Sequence, residues 1–285
     1  MKCLLFWLPL FFVMVCCYSC SNDSVIESDV PSAEQCMDKA QEEEIQELIT
    51  FVEMLNTNLA VEQVQTRGRF WDCIKRILIG DAYGYGWGVQ NGLPAKGGLI
   101  TAAIFSIITA FDKDSSIPRI WKLNSDWKVY DFPRREYETI GNDHNKVIYN
   151  LMIEDRAIAN GTFTNEYLCT TVNKKLMSYG YSYEMSSLQR MELLAIIPRL
   201  QNCTTVQQLN DLMRQVAPTC MTEFQFVETY VDGLISLNDK VSVRSYTQQI
   251  NDEIDNTTLT GVVKSRLKTM VAIAECSKTL WIEIN

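Results

Sequence analysis

The sequence predicts an all-α fold, a multi-helix bundle, and three features indicate it. From residue 33 onward, apolar residues recur at alternating spacings of three and four, the period of a helix with one buried face. Several of these stripes follow a capping box, a serine or threonine with glutamine three positions later, which is typical of a helix start. Two segments also place a small residue at every fourth position, so we expect one closely packed, glycine-zipper-like helical hairpin.

The predicted helices follow one another along residues 33–285, which we interpret as a single helical domain. The first begins at the capping box Ser32-Ala33-Glu34-Gln35, and others begin at Ser186 and Thr205. The helix from Ser186 should stop near Pro198, because proline removes a backbone donor inside a helix. Further helical segments are residues 142–160, 164–179, 224–234 and 259–274.

Residues 117–141 interrupt the helical period. Pro118 and Pro133 lie among several aromatic residues there, which predicts an extended loop with a short strand near residues 127–130. Trp121 and Trp127 are candidate binding residues for a sugar or a protein if this loop is exposed. The alternative is that the aromatic side chains lie across the core and hold a long connection in place.

The small-residue hairpin spans residues 77–111. Residues four apart share one face of a helix, so each arm presents a stripe with almost no side chain and the two backbones can approach closely. Four glycines in one helix cost about 1 kcal/mol each relative to alanine, and close packing is the expected compensation. A turn over residues 91–97 separates the arms. The proposed packing residues are Gly80, Gly84, Gly88 and Gly92 in the first series and Gly98, Ala102, Ser106 and Ala110 in the second.

The location of this hairpin separates two hypotheses. Residues 99–111 carry no charge but number only 13, too few to span about 30 Å of hydrocarbon. The first arm contains Asp81, and a charge at bilayer depth is unfavourable, so we expect the hairpin inside the fold. Partial insertion into a membrane is the alternative, and Tyr83, Tyr85 and Trp87 favour it because such aromatic residues prefer membrane interfaces.

Residues 1–19 have the pattern of a signal peptide. Lys2 supplies a short positive region, and the apolar run that follows is shorter than the roughly 20 residues of a transmembrane helix. The run ends in Cys17-Tyr18-Ser19-Cys20, which resembles a lipobox, so we expect Cys20 to be the lipidated first residue of the mature chain. Tyr18 departs from the small residue preferred there. Cleavage without lipidation and an uncleaved anchor are the alternatives.

Residues 20–32 are polar and acidic without periodicity, the composition of a flexible tether.

The net charge of the chain excludes nucleic acid as a partner. Removing residues 1–19 takes one lysine from 26 basic residues, which leaves 25 against 35 acidic ones and a formal charge of −10. Nucleic-acid binding depends on neutralising phosphates, so we exclude it. We expect neither cofactor nor metal, since the sequence has no calcium loop, phosphate loop or His-Glu-x-x-His pattern.

Six cysteines follow Cys20, an even number that permits three disulfides in an oxidising compartment. The helix predicted over residues 205–216 would hold Cys203 and Cys220 roughly 20 Å or more apart. Bridged cysteines need Cα atoms within about 7 Å of each other, so this pairing is disfavoured. Buried thiols acting as small apolar residues are the alternative for most of the six. The six are Cys36, Cys73, Cys169, Cys203, Cys220 and Cys276.

His144 is the single histidine, so it cannot build a multi-histidine metal site. Asp143 beside it points elsewhere on any helix, and no cysteine has a recognisable nucleophile context. We expect His144 to have a structural role at the start of the helix after Gly141. An enzyme that pairs His144 with a carboxylate is an alternative hypothesis, and it would place His144 in a concave pocket.

Three short motifs occur in order: Gly-Asp-Ala-x-Gly at residues 80–84, Ile-Gly-x-x-His-Asn at residues 140–145, and a small-residue and tryptophan ending at residues 274–281. Together they resemble a group of uncharacterised exported proteins and lipoproteins of Bacteroidota, with a glycine-rich helical hairpin followed by an Ile-Gly-x-x-His-Asn helix start. The resemblance covers roughly residues 70–285 and implies a functional role for His144 and Asn145. It brings no established activity with it.

These expectations favour a lipid-anchored protein of the bacterial cell envelope, at the outer membrane, that binds another envelope protein or a surface ligand without catalysis. Its membrane contact would be the lipid on Cys20. A membrane-active protein that inserts residues 77–111 is the alternative, and an enzyme using His144 is the third hypothesis. An interaction protein should expose an apolar or aromatic patch near residues 121–137, whereas an inserting protein should hold its hairpin at the periphery.

Overall fold

The structure, a computed structural model, describes residues 38–60, 68–111 and 121–283. All of these residues belong to one compact unit, Ser32–Asn285. The predicted signal peptide, the lipidation site at Cys20, the tether, the capping box at Ser32 and the cysteine at Cys36 lie outside the described residues.

The described residues form eleven α-helices and one two-stranded antiparallel sheet, so the prediction of an all-α multi-helix bundle is confirmed. A short 3-10 turn, Pro218–Cys220, joins two of the helices. The strands are β1 (Trp121–Leu123) and β2 (Trp281–Glu283). In chain order the helices are α1 (Lys39–Ala60), α2 (Arg69–Gln90), α3 (Ala95–Ala110), α4 (Glu136–Glu154), α5 (Arg156–Ala159), α6 (Asn165–Ser178), α7 (Ser187–Leu200), α8 (Val206–Val216), α9 (Met221–Leu234), α10 (Lys240–Asn256) and α11 (Gly261–Leu280).

The α2–α3 hairpin forms the centre of the bundle. Helix α2 packs along α3 and also contacts α8, α9 and α11, while α4, α6 and α7 cover α3. Residues 76–88 of α2 and 97–110 of α3 are all buried. Helix α3 has no charged residue after Lys96, and a helix that is apolar all round is stable only when other helices surround it. This explains why α3 lies in the core.

Glycines allow α2 and α3 to approach closely. A Cβ added at Gly80 would lie 2.8 Å from Cγ2 of Thr109, and one added at Gly84 would lie 2.7 Å from the carbonyl oxygen of Thr101. Ordinary contacts between non-bonded atoms begin near 3.5 Å, so neither position accepts a side chain without movement of its neighbour. The two backbones therefore touch along this part of the hairpin.

The other small residues of the two series divide into packing and turn positions. A Cβ added at Gly88 would lie 3.2 Å from Cα of Gly98 on the facing helix. Gly92 instead follows the end of α2, and its φ of 79° lies in the left-handed region that favours glycine in a turn. The remaining members, all buried on α3, are Ala102, Ser106 and Ala110.

Helix α4 begins at Glu136, six residues before the predicted start at residue 142. The Glu138 carboxylate accepts hydrogen bonds from the backbone N–H groups of Arg134 (2.7 Å) and Arg135 (3.2 Å). These bonds satisfy donors near the helix start, where backbone N–H groups have no partner within the helix. The expectation that His144 lies at a helix start is therefore wrong, because His144 lies in the third turn of α4.

One other predicted helix is divided in the structure, and a second ends near the predicted position. The helix predicted over residues 142–160 is interrupted at Asp155, whose side chain accepts hydrogen bonds from the backbone N–H groups of Ala157 (2.9 Å) and Ile158 (3.1 Å) and so starts α5. Helix α7 ends at Leu200, two residues after Pro198, which agrees with the predicted stop near that proline. A proline in the last turn removes a single hydrogen bond, which the end of a helix tolerates.

The short strand lies elsewhere than predicted. Residues 127–130 form no strand, whereas β1 pairs antiparallel with β2 in the register Trp121↔Glu283 and Leu123↔Trp281. The rings of Trp121 and Trp281 meet edge to face with 4.4 Å between their centroids, an arrangement that aromatic pairs prefer. The pairing joins residues 121–123 to the residues that follow α11.

Helix α10 is an element that the sequence interpretation omits, whereas the capping boxes at Ser186 and Thr205 are confirmed. The Asp239 side chain caps α10 by accepting hydrogen bonds from the backbone N–H groups of Val241 (3.0 Å) and Ser242 (2.9 Å). Its core-facing residues have the spacing of an amphipathic helix. They are Val243, Tyr246, Ile250 and Ile254.

Candidate functional site

Four polar residues from four helices meet inside the bundle, and we term them the buried cluster: Asp81 of α2, Ser106 of α3, His144 of α4 and Ser277 of α11. Each has an exposed fraction of 0 %. They come together because α2 packs against both α3 and α11, and α4 packs against the same two helices from another side.

Hydrogen bonds around the Asp81 carboxyl define the geometry of the buried cluster. The Ser277 hydroxyl donates to Oδ2 of Asp81, and Nε1 of Trp281 donates to the Ser277 oxygen at 3.1 Å. Nε2 of His144 lies 3.7 Å from the same Oδ2. The other ring nitrogen, Nδ1, lies 3.4 Å from Oδ1 of Asn145. The cluster therefore links the hairpin to α4, α11 and β2.

The buried cluster favours the uncharged forms of both its titratable groups. Burial raises the pKa of Asp81 well above its ordinary 3.8, and the nearby hydroxyls of Ser277 and Ser106 offset only part of this rise. Burial also lowers the pKa of His144 to about 4, although its contact with Asn145 acts in the opposite direction. Both pKa shifts disfavour a charge within the buried cluster.

The asparagine after His144 ties the aromatic loop to α11. Nδ2 of Asn145 donates to the carbonyl oxygens of Trp127 (2.8 Å) and Cys276 (2.5 Å). Gly141, one turn earlier on α4, has no room for a side chain, since an added Cβ would lie 2.9 Å from the Ala272 carbonyl oxygen. The Ile-Gly-x-x-His-Asn motif therefore holds α4 close to α11 and places His144 against the hairpin.

The tryptophans that the sequence offers as binding residues lie against the core. Trp121 has an exposed fraction of 3 %, and its Nε1 donates to the Ala110 carbonyl oxygen at 2.8 Å. Trp127 is half-buried, and its ring contacts that of Tyr149. Phe132 is the large aromatic residue of this loop that faces solvent, with an exposed fraction of 87 %. The aromatic side chains of residues 121–137 therefore hold this loop against the core, and they form no continuous exposed aromatic patch.

The burial of His144 does not support the enzyme hypothesis. A general acid or base must reach its substrate, and the His144 side chain has an exposed fraction of 0 %. It also lies outside the cleft described next. An enzyme using His144 requires a concave pocket that reaches this side chain, and the buried imidazole is not accessible from the surface.

A surface cleft of about 720 Å³ lies where the first half of α10, the end of α11 and the loop after β1 meet, and we term it the α10–α11 cleft. Its position at the junction of three elements arises because α10 packs along α11 while the β1–β2 pair extends beyond the end of α11. Its wall contains the apolar residues Val129, Val241, Val243 and Ile282 and the polar residues Arg244 and Glu275.

Glu275 is the buried acid of this cleft, with a side chain only 1 % exposed. Its Oε2 accepts a hydrogen bond from the Tyr130 hydroxyl at 2.6 Å and lies 3.3 Å from Nη1 of Arg244. The guanidinium of Arg244 also lies over the Tyr130 ring, 4.1 Å from its centroid, and 3.7 Å from the Glu138 carboxylate. Burial raises the pKa of Glu275, while Tyr130 and Arg244 lower it part of the way.

The cleft is not evident from the sequence, although one of its helices has a recognisable pattern. Asp239 followed by apolar residues at helical spacing is a pattern that predicts α10, but no helix was predicted there. Arg244 and Glu275 are 31 positions apart, and each is one charged residue on an amphipathic helix. Nothing local in the sequence pairs them, because the pairing depends on how α10 packs against α11.

Metal, disulfide and membrane-spanning features are missing from the part of the chain that the structure describes. Residues 38–60, 68–111 and 121–283 contain no group of three or more His, Cys, Asp or Glu side chains placed to hold a metal ion. In the same residues, no helix combines the length and the apolar character needed to cross a membrane. Burial raises the pKa of four free thiols in this part of the chain, which pack as small apolar residues. They are Cys169, Cys203, Cys220 and Cys276.

Comparison of the chain with protein-family models, with curated proteins and with solved structures finds no match. Within the described residues, the buried cluster and the α10–α11 cleft are two of the places where buried titratable groups meet other polar groups in a defined geometry. The ion pair between the buried Glu223 and Arg266 is another.

Proposed function

We propose that this protein is a non-catalytic binding protein of the bacterial cell envelope, held at a membrane by a lipid on Cys20, and that its ligand or partner binds in the α10–α11 cleft. The cleft is the observation that carries the proposal, because ligand sites are usually concave and mostly apolar, with a few polar groups that orient the ligand. Val129 and Val241 supply apolar wall, and Arg244 and Glu275 supply the polar groups.

The polar groups of the cleft favour binding over catalysis. Glu275 is already engaged by the Tyr130 hydroxyl and by Arg244, so its carboxylate is held in place. The Arg244 side chain remains 44 % exposed and offers hydrogen-bond donors to a ligand. Val241, with an exposed fraction of 78 %, provides apolar surface at the mouth. A partner protein or surface ligand with an apolar group beside a hydrogen-bond acceptor fits this arrangement.

For the α2–α3 hairpin we propose a structural role as a glycine zipper. A Cβ added at Gly80 or Gly84 would lie less than 3 Å from an atom of the facing helix, which supports this role. The burial of residues 97–110 also supports it. The alternative, insertion of residues 77–111 into a membrane, is not favoured by this arrangement. The hairpin lies at the centre of the bundle, so insertion would require α2 and α3 to leave α4, α9 and α11.

The binding proposal can be tested by photocrosslinking in intact cells. A benzophenone amino acid placed at Val241, at the cleft, should form a covalent adduct with the bound partner. The matched control is Val262, which is 54 % exposed and lies outside the cleft. An adduct that depends on Arg244 and forms from Val241 but not from Val262 supports the proposal. Equal labelling from both positions, or labelling unaffected by Arg244→Ala, contradicts it.

The lipid anchor can be tested separately. Cells supplied with radiolabelled palmitate should label the protein, and Cys20→Ser should abolish the label and shift the protein out of the membrane fraction. Cys36→Ser is the matched control, because it alters a cysteine outside the lipobox and should leave labelling unchanged. Persistent labelling of the Cys20→Ser variant would remove the anchor from the proposal and leave the cleft untouched.

A further inference from the structure

We infer that the buried cluster binds one internal water molecule, held by Oδ1 of Asp81, Oγ of Ser106 and Nε2 of His144. None of these three atoms forms a hydrogen bond with any residue that the structure describes. All three side chains have an exposed fraction of 0 %, so bulk solvent does not reach them. A buried polar group without a partner is strongly unfavourable, and internal waters typically make about three hydrogen bonds to such groups.

The three atoms belong to one small region. Nε2 of His144 lies 3.7 Å from Oδ2 of Asp81, a separation too long for a direct hydrogen bond. Polar groups at such a separation can be bridged by a water molecule. The Ser106 hydroxyl is close enough to the same carboxyl to influence its pKa. The three groups come from α2, α3 and α4, so the water would bridge three helices of the bundle.

The donors and acceptors around this water can be assigned. Trp281 donates to the Ser277 oxygen, and the Ser277 hydroxyl donates to Oδ2 of Asp81, so a proton on the neutral carboxyl resides on Oδ1. That Oδ1–H group donates to the water. The His144 ring faces two oxygen acceptors, Oδ1 of Asn145 at Nδ1 and the backbone carbonyl of Ala102. We assign the ring proton to Nδ1, which leaves Nε2 as an acceptor. The water therefore accepts from Asp81 and donates to His144 and to Ser106.

The same assignment favours water over a small cation. A sodium ion needs oxygen ligands that carry negative charge or partial charge, and a protonated Oδ1 would direct its hydrogen at the ion. Nε2 of His144 is also a nitrogen ligand, which sodium disfavours. A neutral water matches a neutral acid, a neutral imidazole and a hydroxyl.

The single histidine makes the test direct. In the purified full chain without a histidine tag, ¹⁵N-labelled histidine contributes one imidazole signal set, that of His144. We expect an unprotonated Nε2, a protonated Nδ1, and cross-relaxation between a long-lived water and the two carbon-bound ring protons that flank Nε2. Ser106→Ala removes one of the three hydrogen bonds and should cause loss of that cross-relaxation. Ser236→Ala, a change at a buried serine of another helix end, should leave it intact.

Three results would overturn the inference. They are a ring protonated on Nε2, the lack of water cross-relaxation in the unaltered chain, and ring shifts that change when sodium is replaced by choline, which indicates a bound cation. A crystal structure of the full chain gives an independent measurement. A density peak within hydrogen-bond distance of Asp81, Ser106 and His144 supports the water, and an empty site contradicts it. If Ser106→Ala does not fold, this peak and the tautomer of the unaltered protein still decide the question.

Discussion

Helix α11 places two residues of the same turn in opposite settings. Ser277 faces the hairpin and binds Asp81, a wholly buried acid, while Glu275, two positions earlier and so on another face, is the buried acid of the α10–α11 cleft. Burial raises the pKa of both carboxyls. The two carboxyls differ in the groups that offset the loss of hydration. Glu275 has the cation Arg244 beside it, whereas Asp81 has hydroxyls and a neutral imidazole.

This difference separates a closed region from an open one. The hairpin side compensates Asp81 with uncharged groups, and its two helices lie in close contact at Gly84. The cleft side keeps a half-exposed cation and has unfilled volume around it. A buried acid therefore does not by itself mark a functional site. The cation and the solvent access beside Glu275 are what make the cleft the better candidate for binding.

The largest effect should come from enlarging a hairpin glycine. Gly84→Leu places its Cβ 2.7 Å from the Thr101 carbonyl oxygen, a backbone atom that cannot move alone. We expect a loss of about 3 kcal/mol or more in the free energy of unfolding, at the upper end for overpacked cores. Ser245→Leu, on the exposed cleft wall, is the control and should change stability by less than about 0.5 kcal/mol. Urea denaturation measures the free energy of unfolding of both variants. Similar losses in the two variants would contradict the contrast between a closed hairpin and an open cleft.

The next effect is a loss of stability in acid that depends on His144. Its pKa is about 4 in the folded state and 6.5 ordinarily, so the unfolded chain binds the proton first as the pH falls. The contribution is fully present above pH 6.5 and is lost toward pH 4, by about 3 kcal/mol at 1.36 kcal/mol per pH unit. His144→Gln, which does not titrate, should flatten this part of the curve. An equally steep curve in the variant would show that His144 is not buried in its neutral form.

Removing the cleft cation should have a smaller effect. Arg244→Ala leaves Glu275 buried beside Tyr130 without a positive charge. Breaking a fully buried pair costs about 3–5 kcal/mol, and because the Arg244 side chain is 44 % exposed we expect roughly 1–3 kcal/mol. Glu275→Gln combined with Arg244→Ala should recover part of the loss, since no unpaired acid then remains. A double variant as unstable as the sum of the single variants would indicate that the two residues do not interact.

The sequence predicted the parts of this molecule that depend on local pattern. The stripe of small residues identified the hairpin, and hydroxyl caps identified the starts of α7 and α8. The start of α4 was missed because it depends on a carboxylate, Glu138, that bonds to the preceding backbone. The sites themselves depend on contacts between distant segments, such as Asp81 with Ser277 and Arg244 with Glu275. No periodicity records such contacts, so His144 could be singled out from the sequence but not its partners.

The smallest expected change, and the sharpest contrast with Glu275, is Asp81→Asn measured near pH 4. Asparagine has the shape of a protonated aspartic acid, so its oxygen can accept from Ser277 and its amide can donate in place of the acid proton. Because the folded pKa of Asp81 is raised, its contribution is fully present below pH 3.8 and is lost as the pH rises toward the folded pKa. The two proteins should thus be similar in stability near pH 4, with the asparagine variant gaining relative to the unaltered chain toward neutral pH. Chemical denaturation at several pH values measures this trend. An asparagine variant that becomes relatively less stable as the pH rises would mean that Asp81 is ionised and paired, and the difference between the closed and the open acid would disappear.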